Sequence, residues 1–264
     1  MESFETLKQE ASALIRRAWL NLGMPFDLSM IEEKEEGIID VEPLMIVTLL
    51  VMGKDRLATD LPHWINRFSN LINFQKLKTI FTRLPEKYRR GVLEKLNQIN
   101  LQGTPKPFTN VFDLRTGGTG MPDETASLRA GKINTIENVA KMSLFMKNRL
   151  LYGTGFRADL ISLTHIRDMS MKGTHLAEVL CANNSTISRI LGGLKACGFL
   201  NQDKERVEPF EEYPGMFICS QSVWNLCEMM DATEFSFQEL KSGLLEGMNF
   251  KQDAFGKRIH KNLK

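Results

Sequence analysis

Long apolar runs are missing from this sequence. No stretch of about 18 apolar residues occurs, so nothing is expected to span a membrane. The N-terminus, MESFETLKQE, lacks a basic region followed by an apolar core, and a secretory leader is not expected. Cysteine is scarce. Cys181, Cys197, Cys219 and Cys227 follow no zinc spacing, and a chain of 264 residues needs no disulfide framework. A reducing cytoplasm is the expected compartment. His63, His165, His175 and His260 stand alone, none at ligand spacing from another His or a Cys. No metal and no cofactor is therefore expected. No Gly-x-Ser-x-Gly elbow is present. RTGGTG, residues 115–120, lacks the Gly-Lys-Ser/Thr ending of a phosphate loop, and no strand is predicted before it. No motif suggests a catalytic dyad, so an enzyme is not expected.

What is present fits a globular chain long enough for two ordinary domains. The net charge is +2 but unevenly spread. Counting Lys and Arg minus Asp and Glu, residues 1–101 give 14 − 14 = 0 and residues 102–137 give 4 − 4 = 0. Residues 138–200 give 8 − 3 = +5, and residues 201–264 give 8 − 11 = −3. A polyanion would be drawn to the third segment.

The first half has helical periodicity. Phe4, Leu7, Ala11, Leu14, Ile15, Ala18 and Leu22 share a face, and Gly23 stops the run. EEKEEG reads as a solvated turn. Pro43 opens a second helix, PLMIVTLLVMG, apolar nearly all round and so expected to be buried. Further helices are predicted from about Asp55 to Phe68, Phe74 to Leu84 and Pro85 to Leu101, with no strand alternation. Residues 102–134 hold five Gly and three Pro without periodicity and read as a linker or mobile loop. Asn134 and Glu137 then have the spacing of a helix cap and its returning acid. One helix is expected through Val139, Met142, Phe145, Met146 and Leu150, ended by YGTG. Another is expected from about Phe156 to Asp168.

The segment GTHLAEVLCANNSTISRILGGLKACGFL, residues 173–200, reads as helix, turn, helix. Thr174 is the expected cap of the first helix and Asn184 or Ser185 of the second. Gly198 is placed to end the second with a positive φ. In the second helix Ile187, Ile190, Leu191 and Leu194 form an apolar arc of about 100°. The opposite side carries only Ser185, Ser188, Arg189, Gly192 and Ala196. Each interior glycine costs roughly 1 kcal/mol against alanine. Close approach of another surface would compensate: either a packed helix, or a DNA major groove about 12 Å wide.

LAEVLCANNSTISRILGGLKACGFL resembles the winged helix-turn-helix of bacterial and archaeal transcription regulators, the ArsR and MarR superfamilies. Leu176-Ala177-Glu178, Leu180, Ser185-Thr186, Ser188-Arg189, Leu191, Leu194, Gly198 and Phe199-Leu200 fall in register with the shared phrase of those families. Leu150 to Tyr152, Arg157 and Leu160-Ile161 resemble their opening helix. The resemblance covers about residues 143–221. It implies that Ser185, Thr186, Ser188 and Arg189 meet DNA, with Arg189 at a base edge or phosphate. Ile190 stands where His is usual, which removes one contact. Two or three short strands after Gly198 would form the wing, with Lys204 and Arg206 at its tip. Glu208, Glu211 and Glu212 make this wing acidic, a departure from a wing that grips DNA.

The expected architecture is therefore mainly α. A helical domain (1–101) would bind a small-molecule or protein effector. A linker (102–134) would lead to a winged helix-turn-helix domain (135–221) with a small β-wing. C-terminal helices (222–264) would offer Trp224, Leu226, Cys227, Phe235, Leu240 and Leu244 to a dimer partner. The expected function is sequence-specific binding of double-stranded DNA by a homodimeric transcription regulator without contact to a membrane. Thr174, Asn184, Ser185, Thr186, Ser188 and Arg189 would be at the groove, and Lys172, Lys195, Lys204 and Arg206 on the backbone. The alternatives are a protein-interaction adaptor and an antitoxin-like autorepressor built on the same domain.

Overall fold

Eleven consecutive buried residues organise the fold. They form α2, Val41–Val51, apolar on every side apart from Glu42 and Thr48. A helix of this composition is stable only when surrounded. The computed structural model describes residues 4–24, 37–51, 56–99, 101, 103–114, 132–164, 172–200 and 216–231. Around α2 pack α1 (Phe4–Asn21), α4 (Phe74–Arg83), α5 (Glu86–Gln98) and, from the far end of the chain, α12 (Ser220–Asp231). Between α2 and α4 lie α3 (Arg56–Phe68) and a 3-10 turn (Ser69–Leu71). Trp19 and Trp64 meet edge to face at 5.1 Å in this core. Their indole N–H groups are satisfied: Trp19 Nε1 donates to Thr48 Oγ1 at 2.8 Å, and Trp64 Nε1 to the Leu22 carbonyl at 2.7 Å.

The remaining elements are α6 (Lys106–Val111), α7 (Ile136–Met142), α8 (Leu144–Tyr152), α9 (Phe156–Leu163), α10 (Gly173–Val179) and α11 (Asn184–Ala196). The described residues hold twelve α-helices and a two-stranded parallel sheet. Its strands are β1 (Gly37–Ile39) and β2 (Met216–Ile218), paired Gly37 to Met216, Ile38 to Phe217 and Ile39 to Ile218. Successive residues of a strand point to opposite faces. Here Ile39 and Ile218 join the core around α2, while Ile38 and Phe217 join a second core. That second core holds Leu144, Phe145, Leu160, Leu163, Leu176, Leu180, Ile187, Leu191 and Leu194. The ribbon is the seam between the two.

Several expectations need correction. Residues 37–39 form a strand that sequence patterning did not show. A strand buried on both faces reads as a plain apolar run, and three residues are too few for a period. Part of the expected linker is ordered: α6 places Phe108 and Phe112 in the first core, 5.1 Å apart, with Phe81 4.8 Å from Phe112. Residues 115–131 lie outside the described residues. The helix expected from residue 134 is two helices. Thr135, not Asn134, caps α7, its side chain accepting from Asn138 N. The chain then turns extended at Ser143, whose hydroxyl accepts from Met146 N and starts α8. The turn lets Val139 and Met146 enter the first core and Phe145 the second. Leu226 and Cys227, expected at a dimer surface, are buried against the chain's own core. Phe235, Leu240 and Leu244 lie outside the described residues. Among the described residues no helix is long and apolar enough to cross a membrane.

Candidate nucleic-acid interface

Helices α10 and α11 are joined by a tight turn, Leu180–Asn183, and both end in the same way. In α11 the Gly198 N–H donates to the Lys195 carbonyl at 3.0 Å and the Phe199 N–H to the Leu194 carbonyl at 2.9 Å, with Gly198 at φ +75°. This pair of bonds satisfies carbonyls that the helix leaves open. In α10 the Cys181 N–H donates to Glu178 and the Ala182 N–H to Ala177, at 3.1 and 2.8 Å. The left-handed position there is a cysteine at φ +53°, where glycine is usual. A second support comes from α4: Arg83 Nη1 donates to Cys181 Sγ at 3.3 Å. Burial pushes the Cys181 thiol above its ordinary pKa.

Helix α11 buries Ile187, Leu191 and Leu194. Asn184, Ser185, Ser188, Arg189, Gly192, Gly193 and Ala196 are exposed, while Thr186 and Lys195 are half-buried. Its sequence, NSTISRILGGLKA, contains no acid. A Cβ built on Gly192 or Gly193 meets nothing within 4 Å. Among the described residues, then, no helix packs against those glycines, and the lean side is open. The start of α10 reaches the middle of α11, since a Cβ on Gly173 would lie 3.8 Å from Ser188 Oγ. This brings Lys172 and Thr174, both exposed, beside Ser188.

The caps differ from expectation. Lys172 precedes α10 as its N-cap, and Thr174 is the helix's second residue. Asn183, one residue earlier than expected, caps α11 through its backbone: its carbonyl accepts from the N–H groups of Thr186 and Ile187. Neither cap residue makes a side-chain capping bond. Lys204 and Arg206 lie outside the described residues, as does most of the segment expected to form the wing; the strand described within that segment, β2, pairs in parallel with β1 and not with a wing neighbour.

Behind this surface lies a constellation that sequence reasoning missed. Five fully buried charged groups meet where the two cores join: Asp40, Glu42 on α2, Lys76 on α4, Arg149 on α8 and Asp159 on α9. Arg149 Nε donates to Asp159 Oδ1 at 2.7 Å, Nη1 to Glu42 Oε1 at 2.7 Å, and Nη2 to Glu42 Oε2 at 2.8 Å and Asp159 Oδ2 at 2.9 Å. Nη1 also reaches the Leu71 carbonyl at 2.8 Å. Lys76 Nζ donates to Asp159 Oδ2 at 2.9 Å and to Asp40 Oδ2. The Asn73 N–H donates to Glu42 Oε1 at 2.6 Å.

Two cations face three carboxylates, and a buried surplus charge is costly. Burial, set against Lys76 and reinforced by Glu42 and Asp159, holds the Asp40 carboxyl well above its ordinary range. Burial acts the same way on Glu42 and Asp159, but there Arg149 outweighs it and both lie below the ordinary range. Lys76 is held above its usual value because Asp159 and Asp40 outweigh burial. The three carboxylates approach one another closely enough to ligate a metal ion, but the Lys76 ammonium and the Arg149 guanidinium already answer their lone pairs. The group's chemistry is structural. The signal in the sequence was the presence of Asp40 and Glu42 at the edge of an otherwise apolar buried helix, since acids fully buried there need partners.

The chain matches no protein-family model, no curated protein and no solved structure.

Proposed function

We propose that the protein is a sequence-specific duplex-DNA-binding transcription regulator that uses α10 and α11 as a winged helix-turn-helix. One observation carries this reading. Helix α11 buries a narrow apolar stripe while its opposite side, free of acid and carrying two glycines, is open among the described residues, as a helix that enters a groove requires. In this reading Arg189 meets a base edge, Ser185 and Thr186 meet phosphate near the helix N-terminus, and Asn184 and Ser188 line the approach. Lys172, Thr174 and Lys195 hold the backbone. A homodimer would double these contacts and match a palindromic site. The N-terminal half would receive the effector.

The test is enrichment of duplexes by the purified protein at physiological salt, followed by titration of the best one. Arg189→Ala should weaken that duplex by ~1–3 kcal/mol if the guanidinium reads a base. Unchanged affinity would remove Arg189 from the interface.

A second reading, a protein-interaction adaptor, draws on another observation. Leu150, Leu151 and Tyr152 end α8 as a consecutive exposed apolar run, Leu151 at 65% and Tyr152 at 51% exposure. Salt separates the two readings. Binding through phosphates weakens steeply as salt rises, and apolar docking does not. An autorepressor that also holds a protein would show both behaviours at separate sites.

A further inference from the structure

We infer that the N-terminal half grips the same duplex, through the outward stripe of α4; this rests on the DNA-binding reading of α11. Helix α4, FQKLKTIFTR, contains no acid, like α11. Its inner side buries Lys76, Leu77, Ile80 and Phe81. Gln75, Lys78, Thr82 and Arg83 are exposed and Thr79 half-buried on the other side, an arc of about 140° at 3.6 residues per turn.

The cations of this region divide into two kinds. Lys76 is paired with two buried carboxylates. On α5, Arg90 pairs with Glu86 at 3.1 Å and Lys87 with Asp231 of α12. On α4, Lys78 and Arg83 have no carboxylate partner among the described residues, and neither does the half-buried Arg89 of α5. Of these, Arg83 is the cation placed beside the candidate interface. Arg83 Nη1 bonds Cys181 in the turn that leads into α11, and on the reverse side of α4 Lys76 is locked to Asp159 of α9. The C-terminal end of α4 is therefore tied to the turn that leads into α11.

The chemistry of the stripe fits the phosphate backbone and not base edges. Thr79 and Thr82 spend their hydroxyl protons on carbonyls of their own helix, Gln75 and Lys78. What remains to offer is positive charge on two long side chains. Such contacts position a protein on duplex DNA without reading sequence, and each phosphate neutralised releases counterions and steepens the salt dependence by about 0.9 in log–log slope. The occupant is thus the strand flanking the groove that α11 enters.

The experiment compares full-length native protein with Lys78→Gln, Arg83→Gln, the double variant, Arg189→Ala and a control, Lys141→Gln, an exposed lysine of α7. Affinity for the selected duplex and for a scrambled duplex is measured over a salt series, with thermal melts reporting folding. Lys78→Gln is the primary variant, because Lys78 is exposed and Arg83 also supports the turn. The inference expects each α4 variant to lower the salt slope by about 1 and to weaken both duplexes by the same factor. Lys141→Gln should change neither. If the native protein binds and Arg189→Ala weakens it, but Lys78→Gln and the double variant keep the native slope, the α4 contact is wrong and the α11 reading stands. Equal effects of Lys78→Gln and Lys141→Gln would also overturn it. A native protein that binds no duplex at any salt overturns both.

Discussion

Arg149 is the side chain on which the buried charges depend. It bonds three carboxylates, two on α2 and α9 and one, Asp40, between β1 and α2, and none of its partners has water to fall back on. Removing one member of such a group leaves charges unpaired in the interior, so Arg149→Met should cost about 3–5 kcal/mol in urea unfolding. The carboxylates are not equivalent. Burial holds the Asp40 carboxyl well above its ordinary range, so it is the member most readily protonated, and Asp40→Asn should destabilise less than Glu42→Gln or Asp159→Asn. Their pH dependences run in opposite senses. Glu42 and Asp159 have lowered folded values; their stabilisation is present above the unfolded carboxyl value of about 4 and is lost as pH falls through the folded value. Asp40 has a raised folded value; its stabilisation is complete below about 4 and is lost as pH rises through the raised value. Urea midpoints across pH should therefore show a shallower alkaline-side loss in Asp40→Asn than in the native protein. A parallel pair of curves would contradict the raised value of Asp40.

At the scale of elements, α11 separates stability from function. Gly192→Ala and Gly193→Ala add a methyl where nothing lies within 4 Å, so each should stabilise the helix by up to ~1 kcal/mol in thermal melts. Gly192→Glu should also fold, yet lose duplex binding through bulk and negative charge. Retained binding would show that this side is not the interface. Most long helices were legible beforehand: α1 to α5 have a clear apolar side or, for α2, apolar residues throughout, and Gly23, Gly153 and Gly198 stop runs at positive φ. What escaped had physical causes. Strand β1 is three residues long and has core on both sides. Helix α6 is six residues among prolines, and its burial of Phe108 depends on tertiary contacts with no periodic trace. The break at Ser143 was hidden because Val139, Phe145 and Met146 keep helical spacing across it while feeding different cores. In the candidate interface, the exposed side of α11 was readable from its own residues. Its two caps were misplaced by one or two positions, because side-chain capping signals were sought where the backbone alone caps. All but one of the partners of Arg149, and the contact of Arg83, lie 78 to 109 positions away, beyond the reach of local pattern.

At the scale of the whole molecule, segments far apart in the sequence are joined. Strand β2 near residue 217 pairs with β1 near residue 38, α12 packs on α2, and the ionic cluster draws Asp40, Glu42 and Lys76 from one half and Arg149 and Asp159 from the other. A fragment of residues 135–231 would expose Arg149 and Asp159 without Glu42 and Lys76, and half of the ribbon. It should therefore be poorly folded by amide dispersion in NMR, whereas the full chain should be well dispersed. An independently folded fragment would contradict this interdependence. The central claim is nevertheless about α11, and the most direct measurement is the affinity of the full-length protein for its best-enriched duplex over a salt series, native against Arg189→Ala. The account predicts sequence-selective binding that weakens steeply with salt and falls by ~1–3 kcal/mol in the variant. Absence of selective duplex binding, or an affinity indifferent to both salt and Arg189, would contradict it.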